Sequence, residues 1–132
     1  KKKMQIKPIK YLTKEGTEIY VGKNNKQNDY LTLKIASKKD LWFHTKEIPG
    51  SHVIIRTNGK EASDEEIRLA ATLASFNSKA RLSSNVPVDY TIVKNVKKPK
   101  GAKPGMVIYD DYNTIYVTPD KSVIETELTI SE

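Results

Sequence analysis

Both histidines and the only tryptophan of this chain lie within eleven positions, in Asp40-Leu41-Trp42-Phe43-His44 and Ile48-Pro49-Gly50-Ser51-His52. Imidazole titrates near neutrality and serves as base, metal ligand or hydrogen-bond partner. A zinc site needs three or four protein ligands, and only Asp40 or Glu47 would add a carboxylate to His44 and His52, so no metal is expected. Ser51 beside His52 suggests a nucleophile. Neighbouring residues on a strand point to opposite faces, however, which places His52 badly as a base for Ser51, and the Gly-x-Ser-x-Gly elbow is absent. Two roles stay open for the imidazoles: hydrogen bonds that fix a corner of the fold, or contact with a nucleic acid or partner.

The second concentration of chemistry is Val96-Lys97-Lys98-Pro99-Lys100-Gly101-Ala102-Lys103-Pro104-Gly105. Its prolines and glycines exclude a regular helix or central strand, so the lysines project from a loop whose turns can aim N–H groups at a phosphate. It is not a P-loop, because Gly-x-x-x-x-Gly-Lys-Ser/Thr is missing. From Lys94 to Lys103 there are five lysines and no acid. Residues 1–103 hold 22 of the 23 Lys and Arg against 10 of the 16 acids, so the net charge of +7 understates the basic field of the first three quarters. Such a field attracts a polyanion. Tyr11, Tyr20, Tyr90, Tyr109, Tyr112 and Tyr116 offer stacking platforms or half-buried packing, while Trp42, among apolar neighbours, reads as core.

These groups must be positioned by the surrounding elements. Ile9 to Leu12 and Thr17 to Gly22 read as a hairpin around Lys14-Glu15-Gly16. Residues 28–36 fit a short helix capped by Asn28, with strand as the alternative. Trp42-Phe43 and Val53-Ile54-Ile55 read as strands joined by a tight Pro49-Gly50 turn, in which Gly50 is expected to take a positive φ. Ser63-Asp64-Glu65-Glu66 is a capping-box pattern, and Ile67, Leu69, Ala70, Ala71, Leu73, Ala74 and Phe76 give the following helix, about 64–79, a broad apolar surface. Lys79 and Arg81 stand at its C-terminal end, where the helix dipole favours cations. Val88 to Val96, Met106 to Tyr109 and Thr114 to Thr118 read as strands, the last two as a hairpin through Asp110-Asp111-Tyr112-Asn113. The expected fold is α+β, a mostly antiparallel sheet covered by one long helix and one short one.

Composition narrows the function further. One domain is expected from 132 residues, and the absence of cysteine removes disulfides, thiolate metal sites and thiol nucleophiles. No apolar run reaches the roughly 20 residues of a membrane span, and the Lys-rich start lacks a signal-peptide core, so no membrane insertion and a cytoplasmic location are expected. Residues 1–8 read as the end of an upstream linker, 9–120 as the domain, and 121–132 as a strand or tail.

In order along the chain, Val21-Gly22-Lys23-Asn24-Asn25-Lys26-Gln27-Asn28-Asp29-Tyr30, Asp40 to His44, Ile48 to Val53, Ser78-Lys79-Ala80-Arg81, Val86-Pro87-Val88-Asp89-Tyr90-Thr91 and Lys98 to Tyr109 resemble the NFACT-R domain. This is the RNA-binding module of the large NFACT proteins, the RqcH/NEMF ribosome quality-control and fibronectin-binding family. The resemblance implies binding to stalled large ribosomal subunits and recruitment of tRNA for C-terminal alanine tailing by the longer protein. Members are also described as fibronectin-binding adhesins, which implies the alternative of a protein-interaction module with non-classical surface exposure.

The expectation is an RNA-binding module that is not an enzyme and carries no cofactor. Lys79, Arg81, Lys94, Lys97, Lys98, Lys100 and Lys103 are expected to meet phosphates, which position an RNA without reading its sequence. The resemblance singles out Asn24, Asn25, Asn28, His44, Ser51 and His52 as contacts to tRNA or ribosomal RNA, or as builders of the fold.

Overall fold

The computed structural model describes residues 7–132, so most of the expected linker lies outside the described residues. Among these residues seven antiparallel strands form one sheet in the order β8-β5-β3-β4-β2-β1-β9, and β6 pairs with β7 beside it. The sheet strands are β1 (Ile9–Thr13), β2 (Glu18–Val21), β3 (Leu41–Thr45), β4 (Val53–Ile55), β5 (Val86–Ile92), β8 (Asn113–Val117) and β9 (Leu128–Ser131). The small ribbon is β6 (Val96–Lys97) with β7 (Ile108–Tyr109). Among the described residues three α-helices accompany them, one more short helix than the two helices expected: α1 (Asn25–Tyr30), α2 (Asp64–Phe76) and α3 (Lys121–Glu127). The α+β class is as expected.

Alternation along β3 and β4 divides the core in two. Phe43, Val53 and Ile55 join Ile19, Val21 and Val88 on the face covered by α2, whose Leu69, Ala70, Leu73 and Ala74 are buried there. The small alanines let the helix approach the sheet closely, and burying Leu73 contributes about 2 kcal/mol. Trp42 and Ile54 lie in the second cluster with Leu31, Val93 and Val96. The sheet is therefore covered on both faces, by α2 on one and by the helical turn Leu31–Ile35 with the β6–β7 ribbon on the other.

Several expected boundaries move for identifiable reasons. The short helix begins at Asn25 and is capped by Asn24, not Asn28, because Asn24 Oδ1 accepts from Gln27 N–H at 2.9 Å; α1 continues into a π-helical turn over Leu31–Ile35. Helix α2 has the full capping box, with Ser63 Oγ accepting from Glu66 N–H and Glu66 Oε1 from Ser63 N–H. It stops at Phe76 because Asn77 turns its amide back onto the Leu73 carbonyl, and Ser78 then bridges to Gly50.

The connection from β3 to β4 is a stitched loop over residues 46–52 instead of a tight turn. Its positive φ falls on Glu47, at 55°, not on Gly50. What Gly50 supplies is room, since a Cβ there would lie 2.7 Å from Ser78 Cβ. The expected β7–β8 hairpin does not form: β7 pairs back onto β6, while β8 pairs with β5. Asp111, at φ 49°, redirects the chain between them, and Thr91 Oγ1 donates to the Asp110 and Asp111 carbonyls. Residues 121–132 hold α3, capped by Asp120, as well as edge strand β9, which pairs with β1.

Candidate nucleic-acid interface

Helix α1 is the centre of the site. Its start places Asn24 and Asn25 at the surface, while Asn28 points its Oδ1 inward to accept from His52 N–H at 3.0 Å. A groove of about 550 Å³ lies beside this end and is lined by Lys23, Asn24, Asn25, Asn28, Ser51, Lys79 and Arg81, with Ile9, Phe76 and the 49–50 and 77–78 backbone. Lys79 is anchored through its N–H to the Pro49 carbonyl, and the Arg81 guanidinium lies 4.4 Å from the Phe76 ring centroid. That stacking leaves the guanidinium exposed while restricting its motion.

A second groove, about 590 Å³, shares Asn24 and Asn25 and adds Lys26, Lys103, Pro104 and Met106. The lining residues of the two grooves include five cations, Lys23, Lys26, Lys79, Arg81 and Lys103, and no carboxylate. A third cleft, about 510 Å³, also reaches Asn25 and is lined by Trp42, His44, Glu47, His52, Met106 and Tyr109 together with residues 48–50, 104–105 and 107.

The lysine loop is held against α1. Asp29 takes the Gly105 N–H at 3.0 Å and the Lys98 ammonium at 3.3 Å, while Lys98 Nζ also donates to the Lys103 and Met106 carbonyls. Lys98 thus has its charge engaged within the fold. Gly105 has φ +85°, and a Cβ there would stand 2.6 Å from Asn25 Oδ1. Lys94, Lys97 and Lys100 are exposed but line none of the three grooves.

Continuing the β3–β4 register opposes His44 to His52, and their rings meet edge to face at 5.6 Å. His52 is buried. Its Nε2 lies 3.2 Å from the Gly105 carbonyl, which can only accept, so Nε2 carries the proton and Nδ1 accepts from Thr32 Oγ1 at 2.8 Å. Asn28 and His52 are thus tied to each other and to the segments that flank α1. Burial, reinforced by neighbouring His44, pushes the His52 pKa down to about 3, and burial lowers that of His44.

Between pH 6.5 and 3 the unfolded chain therefore binds a proton at His52 that the folded chain excludes. The stability dependent on neutral His52 is complete above about pH 6.5 and falls as pH drops towards 3, by about 1.4 kcal/mol per pH unit. Urea unfolding at pH 6.5 and 5 should show a loss of roughly 2 kcal/mol, and His52→Gln should remove most of that dependence.

Asp40, a potential carboxylate partner for the imidazoles in the sequence, is committed elsewhere: it accepts from Ser37 N–H at 2.9 Å and Thr57 N–H at 3.0 Å. Ser51 N–H donates to the Asn77 carbonyl. Sequence reasoning missed Lys23, Lys26 and Asp29; their signal was their adjacency to the three asparagines. It also missed Asp89, buried on β5, which accepts from Tyr109 Oη, from Thr114 Oγ1 at 2.7 Å and from Lys46 Nζ at 3.0 Å.

A doubly covered antiparallel sheet with cation-lined grooves meeting at a short helix defines a small α+β module suited to a polyanion. Residues 7–111 match the family model of the NFACT protein RNA binding domain, and the chain belongs to that family. It is 54% identical over 114 residues to the Rqc2 homolog RqcH of Bacillus subtilis (strain 168), a match covering 86% of this chain and 20% of that protein. Identity to the Rqc2 homolog RqcH of Streptococcus suis is 51% over 121 residues, covering 91% and 22%. A more distant relative is coiled-coil domain-containing protein 25 of Bos taurus, 31% identical over 113 residues, covering 81% and 54%.

The chain spans about a fifth of the RqcH proteins. Among solved structures it resembles the C-terminal part of the fibronectin/fibrinogen-binding protein from Streptococcus suis, with a TM-score of 0.90 and 48% identity over 98% of this chain and 52% of that one. No helix among the described residues is long and apolar enough to cross a membrane.

Proposed function

We propose that this chain is the RNA-docking module of a cytoplasmic ribosome quality-control factor, binding tRNA on stalled large subunits so that the longer protein adds a C-terminal alanine tail. The observation that carries this reading is the pair of grooves sharing Asn24 and Asn25, lined by five cations and no acid. Lys79, Arg81, Lys103, Lys23 and Lys26 meet phosphates. Lys94, Lys97 and Lys100 extend the positive field, and Lys98 holds the loop in place. Asn24, Asn25 and Ser51 supply polar contacts between the charges, and His44 borders them through the adjoining cleft. The module binds and does not turn over a substrate.

Five phosphate contacts predict a salt slope of about −4 in log K against log salt, or about a 10²-fold loss of tRNA affinity between about 50 and 200 mM. Filter binding or fluorescence anisotropy across that range checks it; a flat profile would remove the electrostatic basis of the reading. The name of the Streptococcus suis structural neighbour favours fibronectin as a second partner. Exposed Ile130 on edge strand β9 then offers strand addition, and that binding would survive nuclease treatment.

A further inference from the structure

The third cleft is unlike the two cation-lined grooves it adjoins. Its walls are the half-buried rings of His44 and Tyr109, and behind them fully buried Trp42 stacks on His44 at 5.9 Å with 10° between planes and lies 4.7 Å from Tyr109. We propose that this cleft receives one unstacked nucleobase of a single-stranded RNA segment whose phosphates lie in the neighbouring grooves. The proposal rests on the RNA-binding reading and adds a base-specific pocket to it.

Four features carry it. The volume of about 510 Å³ falls in the range of sites that enclose a small planar ligand. Both imidazoles are held neutral by burial: half-buried His44 gives the cleft a ring face, and His52, 1% exposed, spends both nitrogens inside the fold behind it, so neither brings a charge. Asn25 belongs to all three openings, which puts an amide with donor and acceptor groups where a base edge and its own phosphate would diverge. Exposed Glu47 is the acid lining this cleft, and Lys26 and Lys103 line the next groove. A phosphate is repelled by the first and held by the others, while an exocyclic base amine is welcomed by the carboxylate. The charge pattern therefore orients a nucleotide base-inward. Met106, 58% exposed, gives the rim an adaptable thioether.

Trp42 is the only tryptophan and packs directly on His44 and Tyr109, so its fluorescence senses a change in the rings that line this cleft. The test titrates the whole chain with adenosine, cytidine, guanosine and uridine, which carry no phosphate, and then with an RNA of about eight nucleotides, intact or with single abasic positions. At least one nucleoside should quench Trp42 saturably, and one abasic position should weaken RNA binding about tenfold. His44→Gln and Met106→Ala, neither of which changes the charge of the grooves and each checked by thermal melting, should reduce nucleoside quenching at least about fivefold while preserving the salt slope. Steep salt-dependent RNA binding with no nucleoside quenching and no abasic effect would overturn the base pocket and leave the RNA-docking reading standing. Nucleoside quenching without RNA binding at low salt would sustain the pocket and overturn the docking reading. Absence of both would overturn both.

Discussion

Replacing Lys79, Arg81 and Lys103 together by glutamate is expected to weaken tRNA binding by roughly 10²–10³-fold at about 0.1 M salt and to lower the salt slope from about 4 to about 2. The three are far apart in sequence, yet all border Asn24 and Asn25 through the two grooves. All three are exposed and form no ion pair among the described residues, so the reversal leaves no buried charge unpaired. A matching Lys94/Lys97/Lys100-to-glutamate variant should lose less, because those ammoniums act on RNA through the field alone. Anisotropy titrations of both variants, with circular dichroism to verify the fold, compare the two surfaces directly.

Asp89→Ala is expected to destabilise the chain by about 3 kcal/mol, measured by urea unfolding at neutral pH. The carboxylate is 1% exposed and gathers three donors, Tyr109 Oη, Thr114 Oγ1 and Lys46 Nζ, from three separate segments. Removing it strands two half-buried hydroxyls and an ammonium together. Burial, with Asp89 accepting its hydrogen bond, raises the Tyr109 pKa and keeps the phenol protonated as a donor. Because Tyr109 also forms a wall of the third cleft, the loss in stability should be accompanied by a change in Trp42 fluorescence. Thr114→Val, which removes a single donor, should cost about 1 kcal/mol.

Local chemistry made much of this fold legible. The capping box at Ser63, the alanine-rich face of α2 and the first hairpin are written in neighbouring residues, and each forms as its pattern dictates. Ile108 and Tyr109 show the limit of such reasoning. They look like the first arm of a hairpin with β8, but the partner they take is Val96–Lys97, because that pairing closes the lysine loop and brings the Tyr109 hydroxyl to Asp89. Nothing within four residues of Tyr109 announces that choice. The C-terminal segment was hidden in the same way: its weak alternation conceals a helix that ends where β9 finds the free edge of β1.

The candidate site divides along similar lines. Lysine density and the paired histidines pointed to loops that border the grooves, since both follow from composition. Which cations converge depended on tertiary placement: Lys98, central to the basic run, turns to Asp29, whereas Lys23 and Lys26 stand beside the asparagines that bridge the grooves. His52, read as either contact or support, has both ring nitrogens engaged by Thr32 and Gly105, partners far from it in sequence.

Mapping amide chemical shifts of the isotope-labelled chain during titration with tRNA tests the central claim most directly. The account predicts that the largest changes cluster at residues 23–26, 49–51, 78–81 and 103–106, the backbone around the two cation-lined grooves. Changes concentrated instead on α3 and the β9 edge, with those four segments unmoved, would contradict it.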